Sequence, residues 1–246
     1  MKNYRLIIQY DGTRYNGWQT QKTTQNTIQE KIEMVLSKMV GQEVKIHGSG
    51  RTDAGVHAER QIANVHLITD KTCLEMRKYL NMYLPDDIRI SDVKEVSNRF
   101  HSRLNAIKKM YLYRVETEEK SDVFQRKYIY TLGENLNLEK MRVAAQLLCG
   151  THDFQGFSAN KSKKKTTIRT LYNLKIEEKG SQILFYFEGN GFLHHMVRII
   201  MGTLIEIGLE KRSVSSIEEI FQTKDRKIAG ITAPAEGLCL LNVFYD

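Results

Sequence analysis

The chain of 246 residues is long enough for one large domain or two of ordinary size, and it can bury enough surface to fold without disulfides or metal. Its content of 41% hydrophobic and 27% charged residues is typical of a globular protein and argues against intrinsic disorder. Lysine and arginine outnumber the acids 37 to 29, a charge of +8 that favours a polyanionic partner but equally fits a solvated basic surface.

Strands and helices alternate in the first part of the chain. Residues 4–10 are β-branched and aromatic and end at Asp11-Gly12, which predicts a strand followed by a turn. A helix is predicted from about Thr27, which forms a plausible capping box with Glu30. Further strands are predicted at residues 44–47, 62–67 and 88–96, and a further helix at residues 72–83.

A comparable series follows. Strands are predicted at residues 110–116, 168–177, 183–187 and 238–245, and helices at residues 138–149, 192–209 and, capped by the serines at 215 and 216, from about residue 217. The helix at 192–209 is nearly all apolar, which indicates that it is buried. Two successive mixed series predict the α+β class, with two α/β-sandwich-like domains whose mixed or antiparallel sheets are flanked by helices. The predicted domains are residues 1–104 and 105–246.

Residues 48–58, Gly-Ser-Gly-Arg-Thr-Asp-Ala-Gly-Val-His-Ala, form the segment that carries chemistry. Its three glycines permit unusual backbone angles and close approach of another molecule, directly after a predicted strand. The segment lacks the Gly-Lys-Ser/Thr ending of a P-loop, which argues against a nucleotide-dependent enzyme. Asp53 beside Arg51 indicates an acid kept ionised by a cation, as in a nucleophile; a simple turn aspartate with a surface arginine is the alternative.

Residues 50–58 of this segment resemble the signature loop of the tRNA pseudouridine synthase A family. The resemblance extends along nearly the whole chain in family order. It also covers residues 10–13 with 17–19, residues 80–81 with 84–88, residues 192–198 and residues 233–238. Four further blocks in order make coincidence implausible. The resemblance implies the pseudouridine synthase fold, with two α+β domains joined across a central, basic active-site cleft.

By this resemblance Asp53 is the catalytic aspartate. It would act at the sugar of a uridine, either as a nucleophile at C1′ or by removing the C2′ proton toward a glycal, and both routes stay open. Tyr111 matches the family's active-site tyrosine, which stacks on uracil and can help to remove the C5 proton, whereas Tyr113 suits the core. Arg198 matches the arginine that pairs with the aspartate, and a charge in an apolar helix needs such a partner.

RNA contacts are expected from basic residues outside this trio. Arg51 is expected to enter the RNA helix or contact a phosphate while the uridine is flipped out. Arg103 lies in a Phe-His-Ser-Arg segment, where the family usually has Phe-His-Ala-Arg, and is a candidate phosphate contact. Lys163, Lys164 and Lys165 form a basic loop that either contacts RNA or is merely solvated.

No metal and no cofactor are expected. The isomerisation that the family catalyses includes no redox step or phosphate transfer. His194 and His195 are predicted on a helix, where adjacent side chains point about 100° apart and cannot chelate one ion together. No His-Glu-x-x-His spacing is present.

The resemblance implies a homodimeric isomerase that converts uridine to pseudouridine in the anticodon stem-loop of tRNA, at positions 38–40. The alternatives are the same chemistry on another RNA, such as ribosomal RNA, and a catalytically silent RNA-binding protein. Three dispersed cysteines, at residues 73, 149 and 239, and the lack of a signal-peptide pattern predict a cytoplasmic protein. No apolar stretch approaches the roughly 20 residues of a membrane span, so no membrane association is expected.

Overall fold

The computed structural model describes residues 1–159 and 166–246. In chain order its strands are β1 (Lys2–Tyr10), β2 (His47–Gly48), β3 (His57–Leu67), β4 (Ile88–Val96), β5 (Lys108–Glu116), β6 (Tyr130–Thr131), β7 (Gly150–Asp153), β8 (Ile168–Lys179), β9 (Gln182–Gly189) and β10 (Leu238–Phe244). Its helices are α1 (Ile28–Val40), α2 (Cys73–Tyr83), α3 (Leu138–Leu148), α4 (Met196–Gly208) and α5 (Ser216–Thr223). Single turns of 3-10 helix lie at Phe154–Phe157 and Arg226–Ile228. The predicted α+β class is confirmed.

The chain divides into two compact units. The first contains Met1–Ile107 and Cys239–Asp246, and the second contains Lys108–Leu238. The predicted domains at residues 1–104 and 105–246 stay a prediction, because compactness alone does not show that either part folds or functions independently. Among the described residues, no helix has the length and apolar character needed to cross a lipid bilayer.

The sheet of the first unit has the strand order β4-β1-β3-β10. β1 is antiparallel to both β4 and β3, β2 pairs antiparallel with β3, and β10 lies parallel to β3. The start of β3 is paired on two sides, since Ala58 lies opposite both Tyr10 of β1 and Leu240 of β10. The loop that carries Asp53 therefore ends at a firmly paired strand.

Both helices of the first unit have a threonine N-cap, but only one of the two bonds of the capping box predicted at Thr27 is formed. Thr27 is the N-cap of α1 and its hydroxyl accepts a hydrogen bond from the backbone N–H of Glu30. Thr72 and Glu75 form a complete capping box at α2. α1 buries Ile32 and Leu36 completely, and the burial of each such side chain contributes about 1.5–3 kcal/mol.

The sheet of the second unit has the order β5-β9-β8-β7, all antiparallel, with β6 parallel to β5. α3 packs against α4 and β8. Most side chains of α4 are buried, which confirms the predicted buried helix. A cluster of aromatic rings from Phe154, Phe157 and Phe221, with His152 stacked on Phe221, joins α5 to the adjacent 3-10 turn.

Two predicted elements differ in the structure. The predicted strand at residues 44–47 is irregular up to β2, because the backbone N–H groups of Val44 and Ile46 donate to Ser37 and Glu33 of α1 rather than to a strand. The helix predicted from residue 192 begins only at Met196, because His195 has a left-handed backbone with φ of 60°.

Candidate active site

Asp53 lies in the loop between β2 and β3. Its side chain is half-buried, Thr52 before it is buried, and Ala54 after it is exposed. Gly55 has a positive φ of 78°, and the backbone N–H of Val56 donates to the Asp53 carbonyl over 3.2 Å. Asp53 therefore stands at a tight turn directly before β3, with its side chain partly accessible to solvent.

A second segment, residues 11–18, packs directly against this loop and is called the clamp segment below. A Cβ atom on Gly12 would lie 2.0 Å from the Val56 carbonyl oxygen, and one on Gly17 would lie 2.7 Å from the Thr52 carbonyl oxygen. Gly17 also has a φ of 91°, a conformation that other residues rarely adopt. Only glycine at these two positions allows the two backbones to approach this closely.

Hydrogen bonds tie the clamp segment to the loop on both sides of Asp53. The backbone N–H of Trp18 donates to the Thr52 carbonyl over 3.1 Å, and that of Gly55 donates to the Tyr15 carbonyl over 3.3 Å. The hydroxyls of Tyr10 and Thr52 share a hydrogen bond of 2.8 Å. The backbone that carries Asp53 is thus held before and after the residue.

His57, at the start of β3, extends these contacts. The backbone N–H of Gly12 donates to Nδ1 of His57 over 3.1 Å, and a carboxylate oxygen of Asp11 lies 3.3 Å from the same nitrogen. A neutral His57 that accepts at Nδ1 carries its proton on Nε2. The imidazole is buried and joins the exit of the Asp53 loop to the beginning of the clamp segment.

Asp87 anchors the other side of the clamp segment. It accepts a hydrogen bond of 2.5 Å from the Tyr15 hydroxyl and one of 2.6 Å from the guanidinium of Arg14. Burial, together with the hydrogen bond to Asp87, raises the pKa of the Tyr15 hydroxyl above its usual value. Tyr15 therefore remains a neutral donor across the physiological range.

Arg51 is exposed and its Nε donates to the side-chain oxygen of Gln19 over 3.0 Å. Gln19 in turn donates to Gln29 of α1 over 2.8 Å. Within its own unit, as far as the structure describes it, Arg51 forms no salt bridge. The interpretation of Arg51 as the cation that keeps Asp53 ionised is therefore not supported by its contacts, whereas an exposed guanidinium held by a neutral amide can still meet an external anion.

Tyr111 and Tyr113 lie on β5 in the second unit. Tyr111 is 7% exposed, and its ring meets that of Phe192 edge-on at 5.1 Å. Tyr113 is fully buried, and its hydroxyl donates to the Pro234 carbonyl over 2.8 Å. Burial raises the pKa of Tyr113 far above its usual value. The expectation that Tyr113 belongs to the core agrees with this position.

Arg198 lies in the first turn of α4 and is half-buried. Its Nε donates to the Ala233 carbonyl over 2.7 Å, and the backbone N–H of Ala233 donates back to the Arg198 carbonyl over 3.0 Å. This reciprocal pair fixes the direction of the guanidinium relative to the helix. The predicted pairing of Arg198 with Asp53 stays a prediction.

His194 and His195 precede α4 instead of lying on it. Their ring centroids are only 3.9 Å apart, so the prediction that both lie on a helix and point about 100° apart is wrong. The cause is the left-handed backbone of His195. Arg103 is exposed in the loop that follows β4. The predicted RNA contacts Lys163, Lys164 and Lys165 lie outside the described residues.

No local pattern marks the clamp segment as part of the site. Residues 10–13 and 17–19 resemble the opening of the family, but no role follows from their sequence. The available signal was the pair Gly12 and Gly17, separated by four residues that continue neither a strand nor a helix. Glycines in such a connection indicate a close backbone approach, but not which other segment approaches.

The chain matches the family model described as tRNA pseudouridine synthase over residues 6–105 and 144–246. It is 48% identical over 247 residues to tRNA pseudouridine synthase A 2 of Bacillus thuringiensis subsp. konkukian (strain 97-27), with 100% of both chains covered. It is 46% identical over 245 residues to tRNA pseudouridine synthase A 1 of Clostridium tetani (strain Massachusetts / E88), again with 100% of both covered. Among solved structures, a Cbf5-Nop10-Gar1 complex matches with 12% identity and a TM-score of 0.38, over 96% of this chain and 48% of that one. The structural match is too weak to carry an argument.

Proposed function

This chain belongs to the tRNA pseudouridine synthase family, and on that premise we propose that Asp53 is the carboxylate through which it acts on uridine in the anticodon stem-loop of tRNA. The protein is an isomerase that converts uridine in tRNA to pseudouridine. The observation that supports Asp53 most strongly is the clamp segment, which bonds to the backbone on both sides of this residue. Catalytic groups need such fixed placement, because small displacements from the reactive geometry reduce the rate.

The reaction rearranges bonds without any change in composition. The bond between N1 and C1′ of uridine breaks, the base turns, and a bond forms between C5 and C1′. The C5 proton leaves, and N1 ends with a proton. Asp53 acts either by forming a bond to C1′ or by removing the C2′ proton, and either role calls for an ionised carboxylate. The atoms and electrons balance without a redox partner, so we propose no cofactor and no metal.

Tyr111 and Arg198 complete the proposed catalytic set. Tyr111 stacks on the uracil ring and assists removal of the C5 proton, and its edge-on contact with Phe192 supports a fixed ring plane. Arg198 pairs with Asp53 and keeps it charged and oriented. The bond from its Nε to Ala233 supports this role, because it restricts the guanidinium before any substrate binds.

The proposed partner is tRNA, and the proposed assembly is a homodimer in the cytoplasm that presents two copies of the site. Arg51, Arg103, Lys163, Lys164 and Lys165 are the proposed contacts to the RNA backbone. Such contacts offset the few kcal/mol that flipping a uridine out of its stack costs. Light scattering of the purified protein tests the dimer, since a monomer would have a mass of 28.6 kDa.

The decisive experiment measures tritium release from tRNA labelled at C5 of uridine. We expect Asp53→Asn to reduce release to background while its affinity for tRNA stays within a few-fold of wild type, because the amide has the shape of the carboxylate without its charge. Asp70→Asn, at an exposed position away from the loop, is the matched control and should keep full activity. Full activity in Asp53→Asn would refute the assignment, and absence of release by the wild type would refute the function.

A further inference from the structure

The loop at residues 97–105, which follows β4, is built on a network of buried polar side chains. Asn3, Asn64 and Ser102 are at most 1% exposed. The Asn3 amide donates to two carbonyls of the loop over 2.8 and 2.9 Å, and the Asn64 amide donates to the Asn3 side-chain oxygen over 3.1 Å. The backbone N–H of Ser102 completes the chain of bonds by donating to Asn64 over 3.0 Å. Satisfied networks of this kind specify one geometry.

The same network ties the loop to β2 and to the end of β10. The Ser102 hydroxyl donates to the His47 carbonyl, and the Tyr245 hydroxyl donates to the Ser102 carbonyl over 2.6 Å. The ring of Tyr245 also packs on that of Phe100 at 5.1 Å. Several hydrogen bonds from buried side chains hold this exposed loop. Its shape is therefore fixed, as a binding loop requires.

This fixed loop presents His101 in a defined tautomer. Nδ1 of His101 accepts from the backbone N–H groups of Arg103 and Leu104 over 3.1 and 3.4 Å. Its Nε2 therefore carries the proton and is a hydrogen-bond donor. The imidazole of His47, on β2, lies against it with a centroid distance of 5.1 Å and an interplanar angle of 30°.

The charges around His101 all have one sign. Burial lowers the pKa of His101, and the nearby His47 and Arg103 lower it further. These two are the titratable groups that act on His101 from the packed elements. Burial raises the pKa of Tyr245, which follows β10, and so keeps it protonated. In the part of the chain that the structure describes, His47, His101 and Arg103 form no ion pair with a carboxylate. A cluster of donors and positive charge without its own counterion is suited to an external anion.

We propose that His47, His101 and Arg103 form a subsite for a phosphate of the RNA backbone. Nε2 of His101 donates to the phosphate, Arg103 supplies a permanent charge, and His47 stands beside them on the strand that leads into the Asp53 loop. This subsite rests on the proposed function, since it identifies the anion as part of the RNA substrate. A simple solvated basic edge would not require the buried network, nor the tautomer that the loop imposes.

The fixed tautomer distinguishes this subsite from ordinary lysine contacts. Nδ1 of His101 already accepts from two backbone N–H groups, so a proton on this nitrogen would face two donors. The neutral imidazole therefore donates to the phosphate from Nε2 without taking up a proton. The contribution of His101 to the affinity for tRNA should then be the same at pH 8 and at pH 6.

The test measures the Kd for unmodified tRNA at pH 6 and pH 8, at constant salt, for the wild type and four variants. His47→Ala, His101→Asn and Arg103→Gln each remove one member of the subsite. His66→Ala removes an exposed histidine of β3 in the same unit and serves as the control. We expect the Kd at pH 6 to rise about 3- to 10-fold in each subsite variant, the range expected for one hydrogen bond. The increase in Kd for His101→Asn should be the same at pH 8, because the neutral imidazole is the donor, and His66→Ala should match the wild type.

Subsite variants that bind tRNA with wild-type affinity at both pH values would overturn the proposal. His101→Asn is set aside if its thermal transition shows that it has lost its fold. The Kd values of His47→Ala and Arg103→Gln then test the subsite, because neither substitution removes a bond of the buried network. The proposed catalytic function is tested separately, by the release of tritium from labelled tRNA. Tritium release by the wild type without these binding effects would refute the subsite alone, whereas histidine-dependent binding without release would refute the function alone.

Discussion

Thr52 shows how a residue beside a proposed catalytic group can control its placement. It is held at two points, since its carbonyl accepts from the backbone of Trp18 in the clamp segment and its hydroxyl is bonded to that of Tyr10, the last residue of β1. Its side chain is buried, so this hydroxyl has no easy access to water as a substitute partner. We therefore expect Thr52 to be a positioning residue for Asp53.

A double-mutant cycle tests this role. Thr52→Val and Tyr10→Phe each keep the shape of the side chain but remove one end of the bond, and each should lower kcat about 3- to 10-fold with little change in KM. The double variant should lose no more than either single one, because the two changes remove the same interaction. Thr52→Ser, which keeps the hydroxyl, should retain most of the activity. Additive losses, or an effect on KM alone, would contradict a positioning role.

The elements themselves were largely predictable, and the exceptions have physical causes. The β-branched segment at residues 88–96 and the capped segment after Thr72 signal a strand and a helix through local patterns, and the structure has β4 and α2 there. β7 has no alternating apolar pattern and begins at Gly150, with a φ of 108°, so no sequence signal marks it. β6 has only two residues and exists through its pairing with β5.

The candidate site was predictable only in part for a similar reason. The resemblance located the Asp53 loop, but the clamp segment acts through contacts between parts of the chain that are far apart in sequence. The tautomer of His101 and the network beneath it likewise depend on Asn3 and Asn64, which are unremarkable polar residues in their strands. Local patterns carry no information on such pairings.

Helix α4 offers a prediction at the level of an element. A Cβ atom on Gly202 would lie 1.9 Å from the backbone oxygen of Ile231, whereas one on Gly208 would meet the flexible side chain of Met141 at 2.6 Å. Alanine favours the helix by about 1 kcal/mol at either position. We expect Gly202→Ala to lower the free energy of unfolding by about 1–3 kcal/mol despite this gain. Gly208→Ala should lower the free energy of unfolding by a clearly smaller amount.

Urea denaturation of the two variants measures both values under the same conditions. Equal stability of the two would mean that the segment near Ile231 can move away from α4 at no cost. That result would also weaken the argument that the segment fixes Arg198, since the same stretch contains the Ala233 carbonyl.

At the scale of the whole molecule, the excess of 37 basic over 29 acidic residues governs the encounter with RNA. Each phosphate contact releases counterions, so the logarithm of the affinity falls linearly with the logarithm of the salt concentration. We expect a steep slope for tRNA binding by the wild type. Lys164→Ala should reduce its magnitude by about 1, and exposed Lys71→Ala should leave it unchanged. An unchanged slope in Lys164→Ala would make that loop a solvated surface.

The parallel pairing of β10 with β3 has a consequence for the folding of the chain during its synthesis. The first unit receives its last strand from residues 239 onward, after the entire second unit has been made. Contacts between segments this distant form slowly, and a nascent chain on the ribosome cannot form them until translation has passed Phe244. The strand edge beside Ala58 thus stays open throughout synthesis, which exposes the growing polypeptide to aberrant strand addition.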